Sequence, residues 1–416
     1  MNLTAISERR RPAFRDVRER GFADRTSMDE VFAWIDRYPR ITEPERIAIE
    51  ESVGRFLAEP FIAPSNVPRI DRAESDGFAV RSCETIGAAS YNPLPFSLQS
   101  PRNALKPFSA ALVTAGVPLP LGADAVVPFD LSHAEEKFIQ VILPVAQGDG
   151  VNRTGQNVRQ EDVLIPSSRP LRASDIGLIS GFGINEISVL RPPRVRIIVA
   201  GSKSSVDRRA VDVNGPMLVP KILRDGATIE GFRFGIESVD ALAEWVSSPG
   251  ADVVIICGRS GTGPDDDAPL ALATAGEVSI HGIAVRPGSS TGMGFVGEVP
   301  VLLLPGSPLE CLCAYDLFAG RLIRNLSGRG PALPYRTIHA KAGRKFISSA
   351  GTTELCPVRL KGEEALPLGS VSCGDFASIA RADGFVLIPE TMEGYPPGTP
   401  ITVYQYDGFN EAEGLL

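Results

Sequence analysis

The chain has 416 residues, 43% of them hydrophobic, so about three domains with sizeable cores are expected and general disorder is excluded. Lys and Arg number 42 against 50 Asp and Glu, and the net charge of −8 argues against a nucleic-acid partner. Six scattered cysteines and three isolated histidines lack zinc-site spacing, and no run of about 18 apolar residues announces a transmembrane helix, so a reduced, cytoplasmic protein with no membrane contact is expected.

Residues 1–26 read as a polar, Arg-rich extension, loosely ordered. Arg9, Arg10 and Arg11 are followed by charge, not by an apolar run, so a signal peptide is not predicted. Ser27 and Glu30 make a capping-box pattern ahead of Val31, Phe32, Trp34 and Ile35, which predicts a helix. A second helix is predicted from Glu45 to Ala58, with Ile47, Ile49, Val53 and Phe56 as its apolar positions. Residues 63–147 are rich in Pro and Gly with short apolar runs, as in Ala123–Pro128 and Phe138–Pro144, and read as a small β module. A helix at Ala173–Gly181 and a strand at Glu186–Leu190 follow. After Pro192–Pro193 the pattern becomes α/β. Strands are predicted at Val195–Ala200, Ala251–Cys257, Ile280–Val285 and Val301–Leu304. Helices are predicted at Met217–Leu223 with Pro220 in its first turn, Val239–Val246 capped by Ser238, Ala268–Ala275 and Leu309–Leu326. Residues 335–416 return to short strands and turns, a compact β domain.

In an open parallel sheet, ligands bind beyond the carboxyl ends of the strands. Gly258-Arg259-Ser260-Gly261-Thr262-Gly263-Pro264-Asp265-Asp266-Asp267 occupies such a position. Its glycines let backbone N–H groups approach an anion, and its carboxylates suit Mg²⁺; an acidic helix start with no ligand is the alternative. Pro264 stands where a Walker A lysine would be. Leu304-Pro305-Gly306-Ser307-Pro308 joins a strand to a long helix, and the helix N-terminus suits a phosphate, or is simply well capped. Arg286, in Arg286-Pro287-Gly288-Ser289-Ser290, can clamp a phosphate or serve a surface ion pair. Asp71, Glu74 and Asp76 cluster before an apolar strand, and composition alone attaches no function to them. No GxSxG, HExxH or complete GxGxxG is present, so hydrolase triads and dinucleotide binding lose support.

Several segments, taken in order, resemble the MoeA and gephyrin E-domain family of molybdopterin molybdenumtransferases. They are GRFLAEPFIAPSNVP at 54–68, ESDGFAV at 74–80, AGVPLPLGADAVV at 115–127, GQNVRQEDV at 155–163, DIGLISGFGI at 175–184, ADVVIICGRSGTG at 251–263, LLPGSP at 303–308, SIARADGFVLIPE at 378–390 and PPGTPITVY at 396–404. The resemblance spans roughly residues 28–405. It implies a multidomain α/β plus β protein: a discontinuous linker domain (27–62 and 148–192), an inserted small β domain (63–147), a three-layer molybdopterin-binding α/β domain with a parallel-rich sheet (193–330), and a C-terminal β-barrel-like domain (331–416). It implies homodimers whose active cleft lies between the α/β domain and the partner subunit's N-terminal part. It implies insertion of molybdate into adenylylated molybdopterin, assisted by Mg²⁺, with release of AMP. Molybdoenzymes or cofactor-assembly proteins are implied as possible partners.

Carried over by position, Asp266, Glu237 and Asp76 are the implied catalytic carboxylates, and Asp266, Glu237 and Asp265 the implied metal ligands. Gly258, Arg259, Ser260, Thr262, Arg286, Ser289, Pro305, Gly306, Ser307 and Pro308 are the implied molybdopterin-binding positions. The sequence also departs from the family pattern. TGDEL is replaced by Ala200-Gly201-Ser202-Lys203-Ser204, which loses the glutamate. SGGVS is replaced by Cys257-Gly258-Arg259-Ser260-Gly261, the second lysine of KPGKP is Ser289, and Ala115 stands for a threonine. A lost lysine removes a charge-assisted contact worth about 1.5–3 kcal/mol, which Arg259 would restore from the neighbouring loop. These departures keep a second reading open: a non-catalytic paralogue that binds molybdopterin or finished cofactor as a carrier or assembly partner.

Overall fold

The computed structural model describes residues 15–38, 41–201, 212–236, 238–368 and 377–406. The chain forms two compact units, Ile47–Ser188 and a second built from Met1–Arg46 with Val189–Leu416.

The larger unit holds a three-layer α/β domain. Its elements are α1 (Met28–Asp36), β1 (Arg194–Val199), α2 (Asn214–Arg224), β2 (Thr228–Phe234), α3 (Val239–Ser247), β3 (Val253–Cys257), α4 (Ala268–Ala275), β4 (Glu277–His281), β5 (Gly292–Val296), β6 (Val299–Leu304), α5 (Pro308–Ala314) and α6 (Gly320–Leu326). The sheet order is β2-β1-β3-β6-β5-β4; the first four strands run parallel, β5 runs against them, and β4, antiparallel to β5, runs with them. Strands β1, β3 and β6 are near-continuous apolar runs because both of their faces are covered. Val195, Ile197, Val253, Ile255, Leu302 and Leu304 pack against α1, α2 and the helices after β6. Ile198, Val254, Ile256, Val301 and Leu303 pack against α3 and α4.

Arg196 is the charged exception in β1, and it is fully buried. Its guanidinium meets Glu230 at 2.8 Å, donates to the Trp245 and Pro249 carbonyls and lies 5.2 Å from the Trp245 ring. Each buried donor thereby finds an acceptor, as burial of a cation requires. A second ionic cluster sits between α2 and the helices after β6. Asp225 bonds Tyr315, Arg324 and Arg224 at 3.0, 3.1 and 3.1 Å, and Lys221 bonds Asp316 at 2.9 Å. A single π turn, Tyr315–Ala319, joins α5 to α6 and keeps the adjacent Tyr315 and Asp316 both inside.

The same unit ends in a five-stranded closed barrel: Thr353–Lys361, Glu364–Pro367, Arg336–Ala342, Pro400–Gln405 and Gly384–Ile388, with the last pairing back to the first. Val285–Arg286 adds a short parallel strand to it. The smaller unit carries a six-stranded mixed sheet, in the order Ala125–Pro128, Gly77–Val80, Ser109–Val113, Leu94–Gln99, Phe138–Val141, Ser132–Ala134. Phe78, Val80, Phe96, Val127, Ile139 and Val141 fill its core.

Four expectations need correction. Glu45–Ala58 is not a helix: Pro44–Ala48 is a strand and Ile49–Glu51 a single 3₁₀ turn. Ile47 and Ile49 are two residues apart and point inward while Arg46 and Ala48 are exposed, which is the strand period, and Gly54 at φ +79° breaks any continuing helix. Pro220 lies inside α2, not in its first turn. It faces solvent, as does Pro216 four residues before, so the carbonyl that loses its N–H partner stays near water. Ile280–Val285 is not one strand: Glu277–His281 belongs to the α/β sheet and Val285–Arg286 to the barrel sheet. Gly282, at φ +91°, turns the chain between them. Finally, the part of the N-terminal extension within the described residues is packed, and Val17 is buried.

Asp225→Ala strips Arg324 and Arg224 of a buried counter-ion and is expected to cost about 3–5 kcal/mol. Urea unfolding at pH 7 measures it; a loss under about 1 kcal/mol would contradict the described network.

Candidate functional site

Strands β1, β3 and β6 end level: Val199 pairs with Cys257 and Cys257 with Leu304. The loops that follow therefore leave the sheet side by side. Chain order and sheet order part between β1 and β3, since β2 lies on one side of β1 and β3 on the other. That is the switch point at which open α/β sheets bind ligands.

The floor of this opening has no room for side chains. A Cβ on Gly258, which sits at φ +95°, would lie 2.9 Å from the Ala200 carbonyl oxygen, and one on Gly306 would lie 3.3 Å from the Gly258 Cα. The Gly258 N–H bonds the Leu304 carbonyl at 2.9 Å and the Ala200 N–H bonds that of Cys257 at 2.8 Å. Below the floor the Cys257 and Cys311 sulfurs are 3.3 Å apart, and burial pushes the Cys311 thiol far above its usual range, so it stays protonated. Asn214, at the start of α2, donates to the Gly306 carbonyl at 2.9 Å. Ser307 occupies the N-cap position of α5, without a capping bond from its side chain, and Pro308 opens the helix. Pro305 is buried, and its carbonyl accepts from Cys257.

Within the 258–267 loop, the Oδ2 of half-buried Asp266 accepts the Gly263 N–H at 2.7 Å, while Asp265 is exposed. Arg259 turns inward. It is buried at φ +56°, ion-paired to buried Asp267, and donates to the carbonyls of Asp265 and Ile236. Its charge serves the loop's own shape. Ser260 is buried and its Oγ has no hydrogen-bond partner. Arg286 is half tied down: it meets buried Glu354 at 2.8 Å and keeps 46% of its side chain exposed. Ser289 is half-buried, and its carbonyl accepts the Ile283 N–H. Glu237, and the Ser202–Ser204 stretch that stands for TGDEL, lie outside the described residues. Asp76 belongs to the smaller unit, where it is exposed and accepts the Ala115 N–H at 2.8 Å. Among the described residues no three His, Cys, Asp or Glu side chains gather as a ready metal site.

Sequence reasoning missed a strap over this loop. The Glu19 N–H bonds the Thr262 carbonyl at 2.8 Å, the Phe22 ring stands edge-on to His281 at 5.0 Å, and Thr26 bridges to Ile283. Gly282 has no Cβ because Phe22 would occupy that space. His281 in turn donates its Nε2–H to the Ser260 carbonyl at 2.9 Å. The only sequence signals were Val17 and Phe22, two apolar residues among charges.

Residues 26–183 match the family described as "MoeA N-terminal region (domain I and II)", 196–325 the "Probable molybdopterin binding domain" and 339–406 the "MoeA C-terminal region (domain IV)". The chain is 27% identical to the Bacillus subtilis molybdopterin molybdenumtransferase, over 90% of this chain and 93% of that one. It is 24% identical to a putative molybdopterin biosynthesis protein of Methanocaldococcus jannaschii, over 92% and 96% of the two chains. Among solved structures, a molybdopterin biosynthesis MoeA protein from Pyrococcus horikosii superposes with a TM-score of 0.79 at 28% identity, over 93% of this chain and all of that one. No helix among the described residues is long and apolar enough to cross a membrane.

Two predictions follow from the strap. Phe22→Ala leaves the ring's place against His281 empty, so trypsin should cut at Arg20 and Arg25 several-fold faster while the unfolding midpoint moves little; unchanged cleavage would deny the docking. Burial lowers the His281 pKa from 6.5, so the unfolded chain takes up that proton first as pH falls. Stability held above pH 6.5 is then lost below it. Wild type should lose stability relative to His281→Gln between pH 7 and 5.5, and parallel curves would refute this.

Proposed function

The chain belongs to the MoeA family, and we propose that it is a molybdopterin molybdenumtransferase that takes adenylylated molybdopterin and molybdate and releases AMP. The observation that carries this reading is the level opening of the 258–267 and 305–307 loops at the switch point, with Asp266 at one edge. The start of the helical run after Ser307 suits a phosphate through the helix dipole. Gly258 and Gly306 let the ligand approach the backbone closely, because neither carries a side chain. Ser260, with its unsatisfied hydroxyl, is a further polar contact for the pterin. Thr262, Ser289 and Arg286 belong to the same proposal as ligand-binding positions. The exposed part of Arg286 is the cation for a phosphate, since Arg259 is committed to Asp267. That relatives bearing the transferase name align over nine-tenths of this chain favours turnover over a carrier role.

The donor set fits Mg²⁺ of a particular kind. Two carboxylates on one loop suit an ion that water and the substrate's phosphate also ligate, since Mg²⁺ keeps several waters and seldom takes an all-protein cage. When bound, it offsets charge on the departing phosphate. Asp266 would be one residue to hold such an ion, because the Gly263 N–H fixes one oxygen of its carboxylate and the other would be available to the metal. The roles of Glu237 and Asp76, the homodimer and a cytoplasmic location belong to the same proposal.

AMP release from adenylylated molybdopterin, with molybdate and Mg²⁺ present, tests it. Asp266→Asn should lower the rate by about 100-fold or more while substrate still binds. Wild type that binds substrate without releasing AMP would shift the reading to a carrier.

A further inference from the structure

The smaller unit contains a cavity of about 490 Å³, within the range of small-molecule sites. Its wall includes Arg69, Arg72, Asn152, Asn157 and Phe182. No Asp or Glu lines it, in a chain that carries eight more acids than bases. The cavity is therefore positive where the protein as a whole is negative. Neither arginine has an ion-pair partner among the described residues, and both are exposed. The nearest carboxylate in sequence, Asp71, is engaged elsewhere. It accepts the N–H and hydroxyl of Thr154, both at 2.7 Å, and these bonds hold it below the usual carboxylate range.

The wall is also built on paired backbone. Arg72 and Asn152 are register partners in a short antiparallel ladder. The Asn157 N–H bonds the Val67 carbonyl at 3.0 Å, and Asn66 accepts the Gln160 N–H at 2.8 Å. Ser65 contributes a buried hydroxyl that has no hydrogen-bond partner. Two arginines, asparagines, an unsatisfied serine hydroxyl and a phenylalanine make a donor-rich lining whose chemistry suits phosphate oxygens beside a flat ring. We propose that this cavity, built wholly from residues of the smaller unit, is a binding site for a phosphate-bearing ligand of nucleotide size.

Hydrogen exchange on the full chain locates it, with AMP, inorganic phosphate and adenosine as probes. AMP should protect amides in 65–72 and 151–157, phosphate alone should protect them more weakly, and adenosine should not. The affinity read at those peptides should fall about tenfold or more for each arginine removed in Arg69→Ala and Arg72→Ala. Both side chains reach solvent, so the variants should melt as wild type does. Protection that is missing with AMP, that survives loss of both arginines, or that is equal for adenosine would overturn the proposal. The inference rests on the proposed function only in its choice of AMP as a probe. If AMP release fails while this protection persists, the transferase reading falls and the site stands.

Discussion

Three parallel strands end level, and the chain just beyond them is packed too tightly for side chains. The candidate site depends on that constraint. Ala200, Gly258 and Gly306 are close because β1, β3 and β6 share one register, and the register is fixed by apolar runs buried on both faces. A ligand at this floor meets backbone N–H groups and helix starts. Its chemistry comes from the loops above, which a rigid sheet presents without determining their sequence.

Buried charge does the orienting. Arg259 and Asp267 pair inside the loop and set where Asp265 and Asp266 emerge. Arg196 ties β1 to Glu230 and to the segment after α3. Asp225 and Asp316 bind α2 to the helices after β6. Each pairing is costly to break from one side, because the partner is left charged in an apolar setting. The result is a scaffold with little freedom beneath loops that face solvent.

Much of this is legible in the sequence. Apolar runs locate β1, β3 and β6, and the helices Ala173–Gly181 and Ala268–Ala275 fall where their patterns place them. The rule for parallel sheets points at the loops after β3 and β6, which the shared register brings side by side. The failures have local causes. Ile47 and Ile49 suit either a helix face or a strand, and the glycine at 54 that settles the matter acts through one dihedral angle. Arg259 reads as a free cation until Asp267 and the Ile236 carbonyl are seen beside it. The Arg69 cavity draws on short stretches from residue 65 to residue 182, and no spacing rule links them. The strap is invisible because charge dominates its composition and its partners lie in another part of the chain.

That remoteness has a consequence for how the molecule comes into being. Glu19 finds its acceptor at Thr262 and Phe22 its neighbour at His281, more than 240 residues later. At ribosomal speeds that is on the order of tens of seconds. The strap is thus placed only after the 258–267 loop and β4 have been made. Its docking therefore waits on chain made long after it, up to His281 at least.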